Sequence, residues 1–383
     1  MNRKLKMGLV GGGTGSFIGK VHHIAALIDN EIELVCGAFS SNPQVSMESG
    51  PAYKLPGNRV YARYTDMFAG EKRLSEGERM DFVAIVTPNH LHFDPARLAL
   101  QNGFHVVCDK PMTFNLTEAM ELQHIVEQSG LQFALTHTYT GYPMVKEARQ
   151  IIKSGKLGNI RKILVEYTQG WLSTLQEEAG NRQATWRSDP ARAGAACTMG
   201  DIGVHAFNLA EYITGLRVTE LCADLSTLVE GRRLDDDGAV LLRFNNGARG
   251  VLVDSQVCAG DENDLRIRVF GEHGGLEWRQ MEPNTLVLKW LNKSAEILRT
   301  GVGNLSEEAL AHIRIPAGHP EGYLEAFANI YRNFAYAIRA AQAGKHPNPV
   351  FDFPTVRDGV RGLAFIEKSV ESSRSRDKWL TLK

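Results

Sequence analysis

The sequence predicts an α/β chain in two parts: a doubly wound parallel sheet over residues 1–138, then an α+β domain over 139–383 with a large, mostly antiparallel, open-faced sheet. Three observations carry this. Short apolar runs alternate with amphipathic stretches through the first third, the rhythm of βαβ units. A glycine-crowded turn follows the first of these runs. Beyond about residue 143 the strands come closely spaced and joined by tight turns, as antiparallel neighbours are.

The strand-like runs of the first part are Leu5–Val10, Ile32–Phe39, Phe82–Val86, His105–Cys108 and Leu131–Leu135. The amphipathic segments between them can cross over as helices, so the strands should run parallel, with ligands gathering at their carboxyl ends. A helix over Met144–Ser154 opens the second part. Its strands read as Ile160–Thr168, Val218–Val229, Ala239–Phe244, Ala248–Val257, Leu265–Phe270, Gly275–Trp278 and Thr285–Trp290, with turns at Asn245-Asn246-Gly247 and Gly271–Gly274. Met199–Gly215 reads as a helix with Asp201 at its start and Gly215 as its stop. Helices over Tyr323–Ala343 and Thr355–Arg374, separated by the Pro-rich linker His346–Pro354, complete the chain. Val251, Val253 and Val257 fall on one face of their strand and Leu252 on the other. An apolar outer face with no later segment able to cover it predicts a subunit interface, in a homodimer or homotetramer.

The chain has 383 residues, with 43 Lys+Arg against 44 Asp+Glu and a net charge of −1. That balance offers no electrostatic footprint for nucleic acid or an anionic membrane and suits a small-molecule partner. No run approaches the roughly 20 apolar residues of a spanning helix. The basic N-terminus leads into glycines instead of an apolar signal segment, so a cytoplasmic protein is expected. Cys36, Cys108, Cys197, Cys222 and Cys258 are odd in number and lack a CxxC pair, against a disulfide framework or a thiolate metal site. Cys197, four residues before Asp201, is the one nearest possible chemistry. No metal is expected: His90 and His92 are better placed to line a ligand crevice, and Asp235-Asp-Asp237 reads as a solvated turn.

The turn Gly11-Gly-Gly-Thr-Gly-Ser-Phe-Ile-Gly19 lies between the first strand and a helix. Glycine turns tightly and lets a pyrophosphate approach bare backbone, while the helix start behind offers free N–H groups. This Rossmann-type reading points to a dinucleotide. Gly11 and Gly13 fit the first two positions of GxGxxG, but the next small residue in register is Ser16, and Gly19 implies an inserted bulge. After the second strand, Phe39-Ser-Ser-Asn-Pro43 lacks the carboxylate that holds NAD ribose hydroxyls. Its hydroxyls and amide suit a 2′-phosphate, yet no arginine is at hand, leaving NAD or NADP open with a lean to NADP.

Cys108-Asp-Lys-Pro111 follows a strand and places Lys110 at the carboxyl edge of the sheet, where Pro111 biases it towards extended backbone; an ordinary surface lysine is the plain alternative. Asp201 and His205, four apart, share a helix face and offer an acceptor and a titratable imidazole. The alternative is a helix cap and a packing histidine. The long stretch Gln169–Thr198 carries Trp171, Arg182, Trp186 and Arg187. Aromatic faces for sugar C–H surfaces, with N–H donors for hydroxyls, make it a candidate substrate lid; disorder or a subunit contact is the alternative. His137, Tyr139 and Tyr142 are placed to line the substrate crevice.

Together with Thr87-Pro-Asn-His-Leu-His92, these features resemble the Gfo/Idh/MocA family of dinucleotide-dependent sugar and cyclitol dehydrogenases over essentially the whole chain. The family's strand-end Glu-Lys-Pro matches Asp109-Lys110-Pro111, with aspartate in place of glutamate. Its Asp-x-Gly-x-His matches Asp201-Ile-Gly-Val-His205, and Gly19-Lys-Val-His22 is similar to the glycine and histidine opening its first helix. An arginine common in the family near Tyr139 is missing here. The resemblance implies hydride transfer between NAD(P) and a secondary alcohol of a polyol. His205 would be base and acid, Lys110 would hydrogen-bond the reacting oxygen and Asp201 would orient hydroxyls. It implies cofactor contacts from Gly11, Gly13, Thr14, Gly15, Phe17, Ile18, Ser40, Ser41, Thr87, Pro88, Asn89, His92, Asp109 and Lys110. Substrate contacts would come from Lys110, His137, Tyr139, Trp171, Trp186, Arg187, Asp201 and His205. Two other readings are redox-assisted glycoside cleavage with tightly held NAD and a ligand-sensing regulator; Lys110, Asp201 and His205 together speak against the second.

Overall fold

The computed structural model describes residues 3–383. In chain order the elements are β1 (Leu5–Gly11), α1 (Phe17–Leu27), β2 (Ile32–Ala38), α2 (Pro43–Ser49), α3 (Tyr64–Lys72), β3 (Phe82–Val86), α4 (Phe93–Gln101), β4 (His105–Cys108), α5 (Leu116–Ser129) and β5 (Phe133–Leu135). They continue as α6 (Pro143–Lys153), β6 (Lys162–Thr168), α7 (Arg182–Arg187), α8 (Pro190–Ala193), α9 (Val204–Thr214), β7 (Val218–Ser226), β8 (Asp237–Phe244), β9 (Arg249–Ser255) and β10 (Asp264–Phe270). The last are β11 (Gly274–Arg279), β12 (Thr285–Trp290), β13 (Glu296–Arg299), α10 (Glu307–Leu310), α11 (Tyr323–Gln342), α12 (Val356–Arg374) and β14 (Trp379–Thr381).

The first unit carries a five-stranded sheet in the order β2-β1-β3-β4-β5, with every neighbour parallel. Strand β3 is buried along its whole length, as a central strand covered on both faces must be. Its crossover helices are punctuated locally. Ser16 caps α1 by accepting from the Gly19 N–H, and Asn115 caps α5 by accepting from Glu118, while Gly130 in left-handed backbone (φ 66°) ends α5.

The first unit comprises residues up to Thr138 together with Tyr323–Val360. The sequence reading of one continuous second domain over 139–383 is therefore corrected: α11 returns to the parallel sheet. Phe327, Tyr331, Phe334 and Ile338 form a buried stripe at helical spacing, and they pack into the same core as Met7, Leu9, Phe82 and Ala84. An amphipathic helix declares in sequence that one face must be covered, not which sheet covers it.

The second unit, Tyr139–Gly322 with Arg361–Lys383, is built on a nine-stranded sheet in the order β13-β12-β11-β10-β6-β9-β8-β7-β14. All neighbours are antiparallel except β6 and β9, which pair in parallel. Strict alternation in β6 and β10 buries Ile163, Val165, Tyr167, Leu265, Ile267 and Val269 on one face. On β9 Leu252 is buried, whereas Val251 and Val253 remain part-exposed on the opposite face; Val257 lies past the end of the strand.

One expectation fails here. Asp235-Asp-Asp237 is no solvated turn: Asp235 and Asp236 are buried. Asp236 accepts from the Leu228 and Val229 amides and pairs with the buried Arg232, which ends β7 at Ser226 instead of Val229. Within Gln169–Thr198, α7 and α8 fold around a small core of Leu172, Ala184, Ala193, Cys197 and Leu234 with Trp171 against it. Cys197 is thus a packing residue.

Candidate active site

In the first unit the glycine turn closes β1 onto α1. Gly11, Gly12 and Gly15 take φ of 88°, 77° and 85°, backbone that side chains other than glycine resist. A Cβ on Gly19 would stand 2.3 Å from Gly12 Cα, so the inserted-bulge reading resolves into direct backbone packing of the helix on the turn. Ser16 serves as helix cap. A Cβ on Gly13 would meet the Phe39 carbonyl at 2.8 Å, and Gly13 N–H donates to that carbonyl at 3.0 Å. Thr14 leans on the Ser49 hydroxyl, while Thr14, Gly15 and Phe17 are exposed and Ile18 part-exposed. This cradle at a helix start fits a pyrophosphate. Past β2, Ser40 accepts from the Asn42 amide and Ser41 is exposed.

At the carboxyl end of β4, the Asp109 amide bonds the Ile85 carbonyl. Asp109 Oδ1 accepts from the Thr136 hydroxyl at 2.6 Å and from the Lys110 amide at 2.9 Å. Burial would raise the Asp109 pKa, but His22, Lys110, the Thr136 bond and His92 together hold it below the ordinary value. Lys110 is part-exposed at this edge, and Thr87 and Pro88 are part-exposed while Asn89 is buried. His92 departs from expectation. It is 1% exposed, with Nδ1 2.8 Å from the Pro111 carbonyl and Nε2 2.7 Å from that of Thr87; burial lowers its pKa, so the neutral ring donates its one N–H to one of these carbonyls, and both ring nitrogens face protein. His90 is exposed. His137 is buried, and burial with the Lys110 charge pulls its pKa to about 3, leaving a neutral imidazole.

In the second unit the chain enters α9 through a π-helical turn, Met199–Gly203, which carries Asp201. Its position is held from below: the buried Asp235 carboxylate accepts from the Cys197 amide at 2.7 Å and the Met199 amide at 2.8 Å. His205 follows in the first turn of α9. His205 is 8% exposed, with the Tyr139 ring edge-on at 4.9 Å and Tyr167 at 6.3 Å. The two tyrosine hydroxyls bond each other, and Asn263 bonds both.

Asp201 Oδ2 accepts from the Gln256 amide at 2.9 Å. Gln256, fully buried, also accepts from Thr198 Oγ1 and donates to Gln169, and Gln169 accepts from the Trp171 indole. Arg187 lies over the Trp186 ring at 4.3 Å and over the Trp171 ring at 6.0 Å. One unit thus gathers Tyr139, Trp171, Trp186, Arg187, Asp201 and His205, while Lys110 and His137 belong to the other. Tyr142 is buried against Trp278. Sequence reasoning missed Gln256, Gln169, Asn263, Tyr167 and Asp235, because amides and a strand tyrosine carry no local signature of chemistry.

Residues 5–137 match the oxidoreductase family described as having an NAD-binding Rossmann fold, and residues 145–277 match the GFO/IDH/MocA C-terminal domain. The chain is 32% identical to the uncharacterized oxidoreductase YfiI of Bacillus subtilis (strain 168), over all of this chain and 98% of that one. Among solved structures, an oxidoreductase from Sinorhizobium meliloti is 42% identical with a TM-score of 0.90, over 99% of this chain and 100% of that one. An inositol dehydrogenase homolog from Azotobacter vinelandii, solved with NAD+, is 34% identical with a TM-score of 0.94, over 99% and 97%. An inositol dehydrogenase homolog from Azotobacter vinelandii, 33% identical with a TM-score of 0.92 over 99% of this chain and 98% of that one, has been solved with NADH and myo-inositol. With both parts of the chain matched by these family models, the chain belongs to the Gfo/Idh/MocA family, as an NAD-dependent oxidoreductase acting on CH–OH groups.

Proposed function

We propose that the chain reversibly oxidises a secondary alcohol to a ketone on a cyclitol or sugar-like polyol. The observation that carries this is Asp201 held by the Gln256 amide and facing Arg187, with the Trp171 and Trp186 rings beside Arg187 and His205 at the start of the helix that follows. Acceptors and donors for vicinal hydroxyls stand beside flat apolar faces that suit ring C–H groups. The myo-inositol complex of the Azotobacter vinelandii homolog supports the same substrate class.

Bound NAD would supply the acceptor for a hydride leaving the alcohol carbon. His205 takes the hydroxyl proton in oxidation and returns it in reduction. Lys110 donates to the reacting oxygen and stabilises its developing charge. Asp201, fixed by Gln256, accepts from a neighbouring hydroxyl and orients the ring. The turn Gly11–Gly15 and the start of α1, with Phe17 and Ile18, would hold the pyrophosphate, and Ser40 and Ser41 would supply hydroxyls for the adenosine ribose. NAD is the working cofactor by the relatives' complexes. Phe39–Pro43 carries no carboxylate to repel a 2′-phosphate, so the lean to NADP narrows to tolerance of it.

The partly apolar outer face of the nine-stranded sheet, with Val251, Val253 and the 47% exposed Leu241, joins subunits into a homo-oligomer. The activity is tested by incubating the protein with a panel of cyclitols and sugars and with NAD or NADP separately, following reduced nicotinamide. Net reduction with a free polyol supports the reading. Cleavage of glycosides without net reduction would replace it with redox-assisted glycoside cleavage, and no hydride transfer with any polyol would overturn it.

A further inference from the structure

Behind the strand end that presents Lys110, two buried side chains line up with Asp109. The Tyr331 hydroxyl lies 2.7 Å from His22 Nδ1, and His22 Nε2 lies 3.9 Å from Asp109 Oδ2. His22 is fully buried and Tyr331 is 1% exposed. Phe327, one turn before Tyr331 on α11, stands edge-on to the imidazole at 4.6 Å and fixes its tilt.

The chemistry of the far end sets the direction of the chain. Asp109 takes two donors on Oδ1, the behaviour of an ionised carboxylate, and a carboxylate offers only acceptors. The imidazole therefore turns its N–H, Nε2, towards Asp109 and leaves Nδ1 to accept from the tyrosine. Burial holds His22 neutral by pulling its pKa to about 4, and burial with the nearby Asp109 charge keeps Tyr331 protonated as a donor. His22 Nε2 has no hydrogen-bond partner among the described residues. A polar ring sealed in an apolar core is costly unless its charge distribution is answered, and the carboxylate at 3.9 Å is what answers it.

We propose that Tyr331 and His22 are positioning residues for the reaction, a buried chain that orients the Asp109 carboxylate and through it the Lys110 backbone. No proton travels along it. Each member fixes the next: the hydroxyl sets the tautomer, the tautomer aims an N–H at the carboxylate, and the carboxylate pins the Lys110 amide. This rests on the role given to Lys110 above.

Tyr331→Phe removes one oxygen and keeps the ring. Loss of a single buried hydrogen bond should lower kcat by about tenfold, with KM for the polyol and Kd for NAD within about twofold. Asp109→Asn should cost roughly a hundredfold, and the double variant no more than Asp109→Asn alone, because both act through one chain. Histidine 15N spectra of the wild-type protein should show His22 as the Nε2–H tautomer near neutral pH. An Nδ1–H tautomer, a Tyr331→Phe kcat within twofold of wild type, or multiplying effects in the double variant would each overturn the chain. If Asp109→Asn fails to fold, Tyr331→Phe and the tautomer still decide. Lys110→Ala separates the two readings: near-normal kcat there removes the role of Lys110, whereas the tautomer bears on the chain alone.

Discussion

Arg187 Nε lies 3.1 Å from Asp201 Oδ2 without hydrogen-bond alignment, while the Gln256 amide bonds that same oxygen at 2.9 Å. The two neighbours of Asp201 therefore differ in kind. Gln256 is sealed in a network, whereas the part-exposed Arg187 faces Asp201 by charge, lies over the Trp186 ring and donates from its guanidinium to the Gln183 side chain at 2.7 Å.

Arg187→Ala should raise KM for the polyol about tenfold and leave kcat within about threefold, since it removes a donor to the substrate and none to the reacting oxygen. Gln256→Leu should instead lower kcat by one to two orders of magnitude and stability by about 1–3 kcal/mol, because it removes the buried hydrogen bonds to Thr198, Gln169 and Asp201. Steady-state kinetics and urea unfolding check both. A fall in kcat at constant KM for Arg187→Ala would move that residue to the reacting centre.

Lys110→Ala and His205→Ala should each lose about 10²–10⁴ in kcat, the usual worth of a general acid or base, while NAD affinity measured by calorimetry stays within a few-fold. Loss of NAD affinity to match the loss of kcat would assign either residue to cofactor binding.

Gly19→Ala should abolish NAD binding with the second unit still folded, because the added carbon meets Gly12 Cα at 2.3 Å and α1 must move off the turn. Gly13→Val should do the same through the Phe39 carbonyl. Unchanged affinity in both, by fluorescence titration, would remove the glycine turn from the cofactor site.

Acid should destabilise the first unit. Burial lowers the pKa of His22 from 6.5 to about 4, so the unfolded chain gains a proton there that the folded one refuses. Stability is complete above pH 6.5 and falls as pH drops towards 4, by about 3 kcal/mol from this residue. His137, lowered to about 3 by burial and Lys110, adds to the same slope. Urea midpoints at pH 7, 5.5 and 4.5 should show His22→Gln less stable at pH 7 yet losing less on acidification. Parallel curves for the two proteins would refute the assignment.

Sedimentation at micromolar concentration should show an assembly larger than the 42.4 kDa chain, and Val251→Asp with Val253→Asp should dissociate it. A wild-type protein that sediments only as monomer would require the outer sheet face to be covered some other way.

Much of this molecule was legible in its sequence, and what was legible is local. Period-two burial marked β6 and β9, all-apolar runs marked β3 and β4, and Pro111 after Asp109-Lys110 placed the lysine at a strand end. Gly215 after an apolar run marked the end of α9. Each depends on side chains a few positions apart, where backbone geometry leaves little choice. Tertiary structure alone decided the rest. Tyr331 reaches His22 across 309 positions and Gln256 reaches Asp201 across 55, and nothing near either residue names its partner. Asp235 and Asp236 look like any solvated acidic run until backbone amides 36 and 8 positions away turn towards them. A buried polar group is defined by what surrounds it, and those surroundings exist only after distant segments have packed.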